Sequence, residues 1–174
     1  MPQLVELKNQ SPETVVFSVG GSALHPHEHF NVPFVNELMC FTLGLTKNGK
    51  IVILVTGGGS IARIAQKDAQ SVGVTHQATQ DQIGVYITNL NALWLERVFE
   101  ANGVHTHALH SGDILHSDIV YIRGGSEPGH TTDFVAVSHA IEAGQKIVFN
   151  ISTAPGLHPV IDDKLKEDEV IPTI

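Results

Sequence analysis

Three short runs of apolar and β-branched residues in this chain lead into glycine turns that close on serine. Thr14–Val19 runs into Gly20-Gly21-Ser22, the run 50–55 leads to Gly57-Gly58-Gly59-Ser60, and the run 118–123 meets Gly124-Gly125-Ser126. A glycine has no Cβ to keep an anion away from the peptide N–H groups, and a helix that starts at such a turn adds the positive end of its dipole. Tight strand-to-helix packing also asks for glycine. Three such turns on one sheet edge favour a phosphate or nucleotide site over packing alone. Two cations stand close by: Arg63 falls in the first turn after Gly57-Gly58-Gly59, and Arg123 directly precedes Gly124. Each could pair with phosphate oxygens, although an ordinary surface role suits an arginine equally well.

The most specific stretch is 124–133, Gly-Gly-Ser-Glu-Pro-Gly-His-Thr-Thr-Asp. Thr131 and Thr132 offer two hydroxyls at a helix start, where Oγ and N–H together can bind a phosphate. Asp133 can orient a metal or a neighbouring group. Helix capping accounts for only one of these three residues. A second concentration of polar side chains, His25-Pro26-His27-Glu28-His29, contains metal-ligand types, but its spacing fits no standard zinc pattern. No metal site is assigned there. His105, His107, His110 and His116 scatter through a polar segment and read as surface residues. Trp94 reads as a core or subunit-contact residue rather than a ligand platform.

The elements that must hold these residues follow from periodicity. Continuous apolar runs suit strands buried on both faces of a parallel sheet, and 146–151 is a fourth run, which ends at Ser152-Thr153 without glycines. Helical spacing lies between the strands. Apolar residues at Phe34, Val35, Leu38, Met39 and Leu43 predict a helix from Pro33 to Leu45. Ser60 is the expected N-cap of a helix to Val72, stopped by Gly73. Thr79 with Gln82 reads as a capping box, with Ile83, Ile87, Leu90, Trp94 and Val98 as the buried stripe of a helix ending near Asn102-Gly103. Thr131 or Thr132 caps a last helix that ends at Gly144. Strands alternating with helices predict an α/β fold, a three-layer αβα sandwich with a mainly parallel sheet.

Length and charge bound the function. The 174 residues predict a single domain over 1–174, with 154–174 as an irregular or hairpin-like tail containing Pro155, Pro159 and Pro172. A formal net charge of −8 argues against nucleic acid as a partner, so an anionic ligand must be small and locally held. There is no run long and apolar enough for a bilayer, and Met1–Glu6 lacks the basic start of a secretory signal. Cys40 is the single cysteine, which suits a reducing compartment; the expected location is cytoplasmic.

With these motifs in order, the chain resembles the archaeal-type uridylate kinases of the amino-acid kinase family. The resemblance runs through 17–22, 55–63, Asp81-Gln82-Ile83-Gly84 with 88–93, and 124–133. It implies a UMP-binding protein that transfers the γ-phosphoryl of ATP with Mg²⁺, by positioning and charge neutralisation. Gly20, Gly21 and Ser22 would lie under the transferring phosphates. Gly57, Gly58, Gly59 and Arg63 would hold the monophosphate, with Arg123, Gly124 and Gly125 beside them, and Asp81 would reach its ribose or base. Thr131 and Thr132 would grip the acceptor phosphate, and Asp133, with Ser18, would form the catalytic centre. The chain departs from the family pattern at Ser18, where many members carry lysine, at Asn89, where arginine is common, and at Ser152, where the family has an aspartate. Relatives also continue past the position of Ile174 into elements that complete the ATP side. Three readings follow: a phosphotransferase, a pseudokinase that binds the monophosphate only, and a structural subunit that pairs through the long helix. Homo-oligomerisation fits each of them.

Overall fold

The apolar runs that end in glycine form the middle of one parallel sheet. The computed structural model describes residues 13–153 and, beyond them, the backbone pairing of two short strands. Strands β1 (Thr14–Val19), β2 (Ile51–Thr56), β3 (Thr106–Ala108), β4 (Val120–Arg123) and β5 (Val148–Ile151) stand in the order β3-β4-β2-β1-β5. Every neighbouring pair is parallel. β2 is buried at all six positions, as expected of a central strand covered on both faces.

Alternate residues of the strands feed two separate cores. Phe17, Val19, Val52, Leu54, Val120 and Ile122 face helices α2 (Val32–Lys47) and α4 (Gln77–Ala101), which supply Val35, Leu38, Leu95 and Phe99. Val16, Ile53, Val55 and Tyr121 face the other way, onto Val135, Ala136 and Ala140 of α5 (Thr132–Glu142). This period-two division makes the three layers of the αβα sandwich. Each fully buried Val, Leu or Phe contributes about 1.5–3 kcal/mol of transfer free energy, so both faces of the sheet hold it in place. A four-residue helix, α1 (Gly21–Leu24), leaves β1, and α3 (Gly59–Ser71) packs on α4.

Several local expectations need correction. Ser60 is not the cap of α3; Gly58 is, and the Ser60 hydroxyl donates instead to the carbonyls of His25 and His27. Thr79 does not open α4, which starts two residues earlier after His76. Of the expected α4 stripe, Trp94 and Val98 pack half-buried against the core, but Ile83, Ile87 and Leu90 do not form its buried face. Val85, Ala92, Leu95 and Phe99 are buried, together with the polar Asn91 and Glu96, while Leu90 is 56% exposed. The helix is rotated so that polar residues meet the glycine turns. β3 was not expected at all: three residues with His107 in the middle carry no apolar run, yet they extend the sheet beyond β4.

Among the described residues no helix is long and apolar enough to cross a membrane. Residues 160–161 and 164–165 form an antiparallel pair, β6 and β7. The N-terminal stretch 1–12 and the rest of 154–174, with the readings made there, lie outside the described residues.

Candidate functional site

The turns after β1 and β2 interlock at the carboxyl edge of the sheet. The Gly57 N–H donates to Val19 O at 2.9 Å, and the Gly20 N–H donates to Ile151 O at 2.8 Å. A Cβ on Gly21 would stand 1.9 Å from Gly59 N, and one on Gly57 would stand 2.5 Å from Gly21 N. Gly59 also has φ +66°, a left-handed conformation that L side chains rarely adopt. Packing therefore requires these glycines. They still leave donors open: the N–H groups of Gly58 and Gly59 meet no acceptor among the described residues.

Beside this interlock lies a hollow of about 590 Å³. Gly58 and Gly59 form its floor, α3 contributes Arg63 and Gln66, and α4 contributes Asp81, Gly84, Val85 and Thr88. Gly125, Thr131 and Thr132 close it from the β4–α5 connection. Arg63 is exposed and makes no ion pair among the described residues. Asp81 accepts from Gln77 Nε2 at 2.7 Å, one helical turn away. The Thr131 side chain caps α5, accepting from the Phe134 N–H at 3.1 Å. The Thr132 hydroxyl makes no hydrogen bond among the described residues, and its Oγ1 lies 3.3 Å from where a Cβ on Gly57 would be.

Ser18 and Asp133 meet across the top of the sheet. The buried Ser18 hydroxyl donates to Asp133 Oδ1 at 2.5 Å. This contact pins the first turn of α5 onto β1. Asp133 is otherwise exposed.

The remaining sequence-predicted residues are not gathered into the hollow. Gly20 and Gly21 support it from behind, and Ser22 lies in α1 outside its lining. Arg123 and Gly124 line a separate hollow of about 220 Å³ with Glu96 and His110. A Cβ on Gly124 would come within 2.5 Å of Asn89 N, so this glycine lets α4 approach the sheet. His27, Glu28 and His29 are exposed, whereas His25 is turned inward. Among the described residues no group of three or more His, Cys, Asp and Glu side chains is placed to hold a metal ion.

Sequence reasoning passed over three residues. Thr88 Oγ1 accepts from the Gly125 N–H at 2.6 Å and ties α4 to the β4–α5 connection. Gln66 Nε2 donates to Gln80 O at 2.9 Å and closes the far wall. Asn91, 2% exposed, donates from Nδ2 to Gly57 O at 2.8 Å. Polar residues within the apolar register of α4 were the available signal for Thr88 and Asn91.

A parallel αβα sandwich that gathers free backbone N–H groups, a hydroxyl and an arginine at the carboxyl ends of its strands has the build of a phosphate-handling α/β protein. Residues 13–169 match the amino acid kinase family, and the chain belongs to that family. Uridylate kinase from Methanocorpusculum labreanum is 31% identical over 169 residues, covering 90% of this chain and 68% of that protein. Uridylate kinase from Thermoplasma volcanium is 29% identical over 157 residues, covering 89% and 67%. The crystal structure of uridylate kinase from Archaeoglobus fulgidus superposes with a TM-score of 0.66 at 25% identity, over 84% of this chain and 66% of that one. The chain thus spans about two thirds of the length of these relatives.

Proposed function

We propose that this chain binds a nucleoside monophosphate, UMP, in the hollow between α3, α4 and the β4–α5 connection. The observation that carries this reading is the convergence on one volume of the Gly58 and Gly59 N–H groups, Arg63 and the Thr132 hydroxyl, which have no partner among the described residues. Two backbone donors, a hydroxyl and a guanidinium match the oxygens of one phosphate, and charge-assisted bonds of this kind are about twice as strong as neutral ones. Asp81 and Gln66 stand further out, where a ribose or base would reach. The similarity to uridylate kinases supports UMP as the occupant.

Transfer from ATP would place the donor phosphates over Gly20, Gly21 and Ser22. An oxygen of the UMP phosphate would attack the γ-phosphorus as ADP leaves, and the chain's own contribution would be alignment and charge neutralisation. Asp133 fits Mg²⁺, since one carboxylate plus substrate phosphates is a usual magnesium environment and its Oδ1 is already oriented by Ser18. Mg²⁺ would supply charge neutralisation on the phosphates. A second reading, monophosphate binding without transfer, is favoured by Ser18: its neutral side chain is committed to Asp133 and offers no cation to a transferring phosphoryl group.

The outer face of α4, with Tyr86, Leu90 and Leu93 exposed at 66%, 56% and 48%, suits pairing with a second copy, and a cytoplasmic setting suits a nucleotide ligand. Calorimetric titration with UMP and with ATP·Mg²⁺, alongside a phosphoryl-transfer assay, tests the proposal. UMP binding with turnover supports the kinase. UMP binding without turnover supports the second reading, and absence of UMP binding rejects both.

A further inference from the structure

We infer that Asn91, held by His25, is a positioning residue that aims the donors of the β2–α3 turn at the ligand phosphate. The inference rests on the UMP-binding reading above. Asn91 Nδ2 donates to Gly57 O at 2.8 Å and lies 3.4 Å from Gly58 O. These are consecutive carbonyls of the same turn. In a planar trans peptide the N–H points opposite to the C=O, so holding the carbonyls of Gly57 and Gly58 fixes the directions of the Gly58 and Gly59 N–H groups. Those two N–H groups are the ones without an acceptor. Glycine has no side chain to limit the rotation of these peptides, so the restraint has to come from outside the turn.

Asn91 is itself held from behind. Its Oδ1 faces His25 Nε2 at 3.1 Å in a buried contact. Because Nδ2 must face the carbonyls, Oδ1 accepts, and the imidazole carries its proton on Nε2. His25 Nδ1 is buried without a close hydrogen bond among the described residues, and the backbone of His29 is the other polar group acting on the ring. The imidazole packs on Phe30 with ring centroids 3.8 Å apart, and Phe30 stacks on Trp94 at 3.4 Å and 8°. Asn91 and Trp94 are three residues apart on one face of α4, so the loop that carries His25 is fastened twice to the helix that carries Asn91.

The experiment compares UMP affinity with stability for Asn91→Ser, His25→Leu and His25→Gln, with Gly58 and Gly59 amides followed by NMR. Asn91→Ser should weaken UMP binding about tenfold or more, through the carbonyls left unpaired and the peptides left free. His25→Leu frees the Asn91 amide to turn, and should weaken binding by a smaller factor. His25→Gln, whose Nε2 can donate to Asn91 Oδ1, should restore most of it. The Gly58 and Gly59 amide signals should shift in the ligand-free Asn91→Ser and His25→Leu proteins. Should Asn91→Ser not fold, the two His25 variants decide alone. UMP binding unchanged in His25→Leu, or lowered equally in His25→Leu and His25→Gln, overturns the positioning role and leaves the UMP site standing. A wild-type chain that binds no UMP removes the site and the positioning role together.

Discussion

The strand ends of β1 and β2 differ sharply from that of β5, although all three lie side by side on one sheet edge. The turns after β1 and β2 interlock so closely that three glycines leave no room for a Cβ, and two peptide N–H groups remain open beside a hollow. β5 ends at Ile151, followed by the exposed Ser152 and Thr153, and its Ile151 O accepts from the Gly20 N–H. One region borders a hollow of about 590 Å³, with Asn91 bonded to its turn. The other supports the first. On the proposed reading, monophosphate recognition belongs to the β1–β2 side.

The largest test of this contrast is Gly21→Ala. Its Cβ would meet the Gly59 backbone, which cannot rotate away, so the substitution should lower the melting temperature by roughly 10 °C or more and abolish UMP binding. Gly44→Ala, on an open face of α2, should instead stabilise by about 0.5–1 kcal/mol in thermal denaturation. Next in size is Arg63→Ala. Loss of one charge-assisted contact should weaken UMP binding by about tenfold to a hundredfold by calorimetry, with the melting temperature unchanged. Ser152→Ala, at the β5 end, should leave UMP affinity as it is; a comparable loss there would erase the distinction between the two regions.

A smaller effect is expected from Ser18→Ala, which leaves Asp133 without its hydroxyl partner. It should cost about 1–2 kcal/mol in denaturant unfolding, and any phosphoryl transfer should fall with it while UMP affinity holds. The smallest is a pH effect. Burial lowers the pKa of His25 and of His139 below the ordinary value of 6.5. For His139 the nearby Arg123 acts in the same direction. The folded state then binds fewer protons than the unfolded chain. The stability these groups contribute is complete above pH 6.5 and declines as the pH falls below it. Melting curves at pH 7.5 and about 5.5 should show the decline, and it should shrink in His139→Phe, which locates part of it far from the glycine turns.

β1, β2, β4 and β5 were legible because each is a short β-branched run bounded by turn residues, whereas β3 has no such run; Gly73, Gly103 and Gly144 marked helix ends with their positive φ values. The α4 stripe was not. Apolar spacing at Ile83, Ile87, Leu90, Trp94 and Val98 gives a plausible buried face, but the helix must instead deliver Thr88 to the Gly125 N–H and Asn91 to Gly57 O. Satisfying buried backbone groups outweighed burying Leu90. The cap at Ser60 was misread for a related reason, since its hydroxyl serves the His25 loop. In the site, Gly58, Gly59, Arg63, Asp81, Gly125, Thr131 and Thr132 were anticipated and do line one hollow. Arg123 was anticipated from its place beside Gly124, but the direction of a side chain at a strand's end depends on register, and Arg123, two residues after Tyr121, falls on the α5 side of the sheet, near His139.

The clasp between Gly21 and Gly59 also constrains motion. With no side chain between the two backbones, neither turn has slack to open while the other stays shut. Residues 20–22 and 57–60 should therefore unfasten as one cooperative unit in hydrogen exchange, at a shared opening free energy, although more than thirty positions of chain separate them.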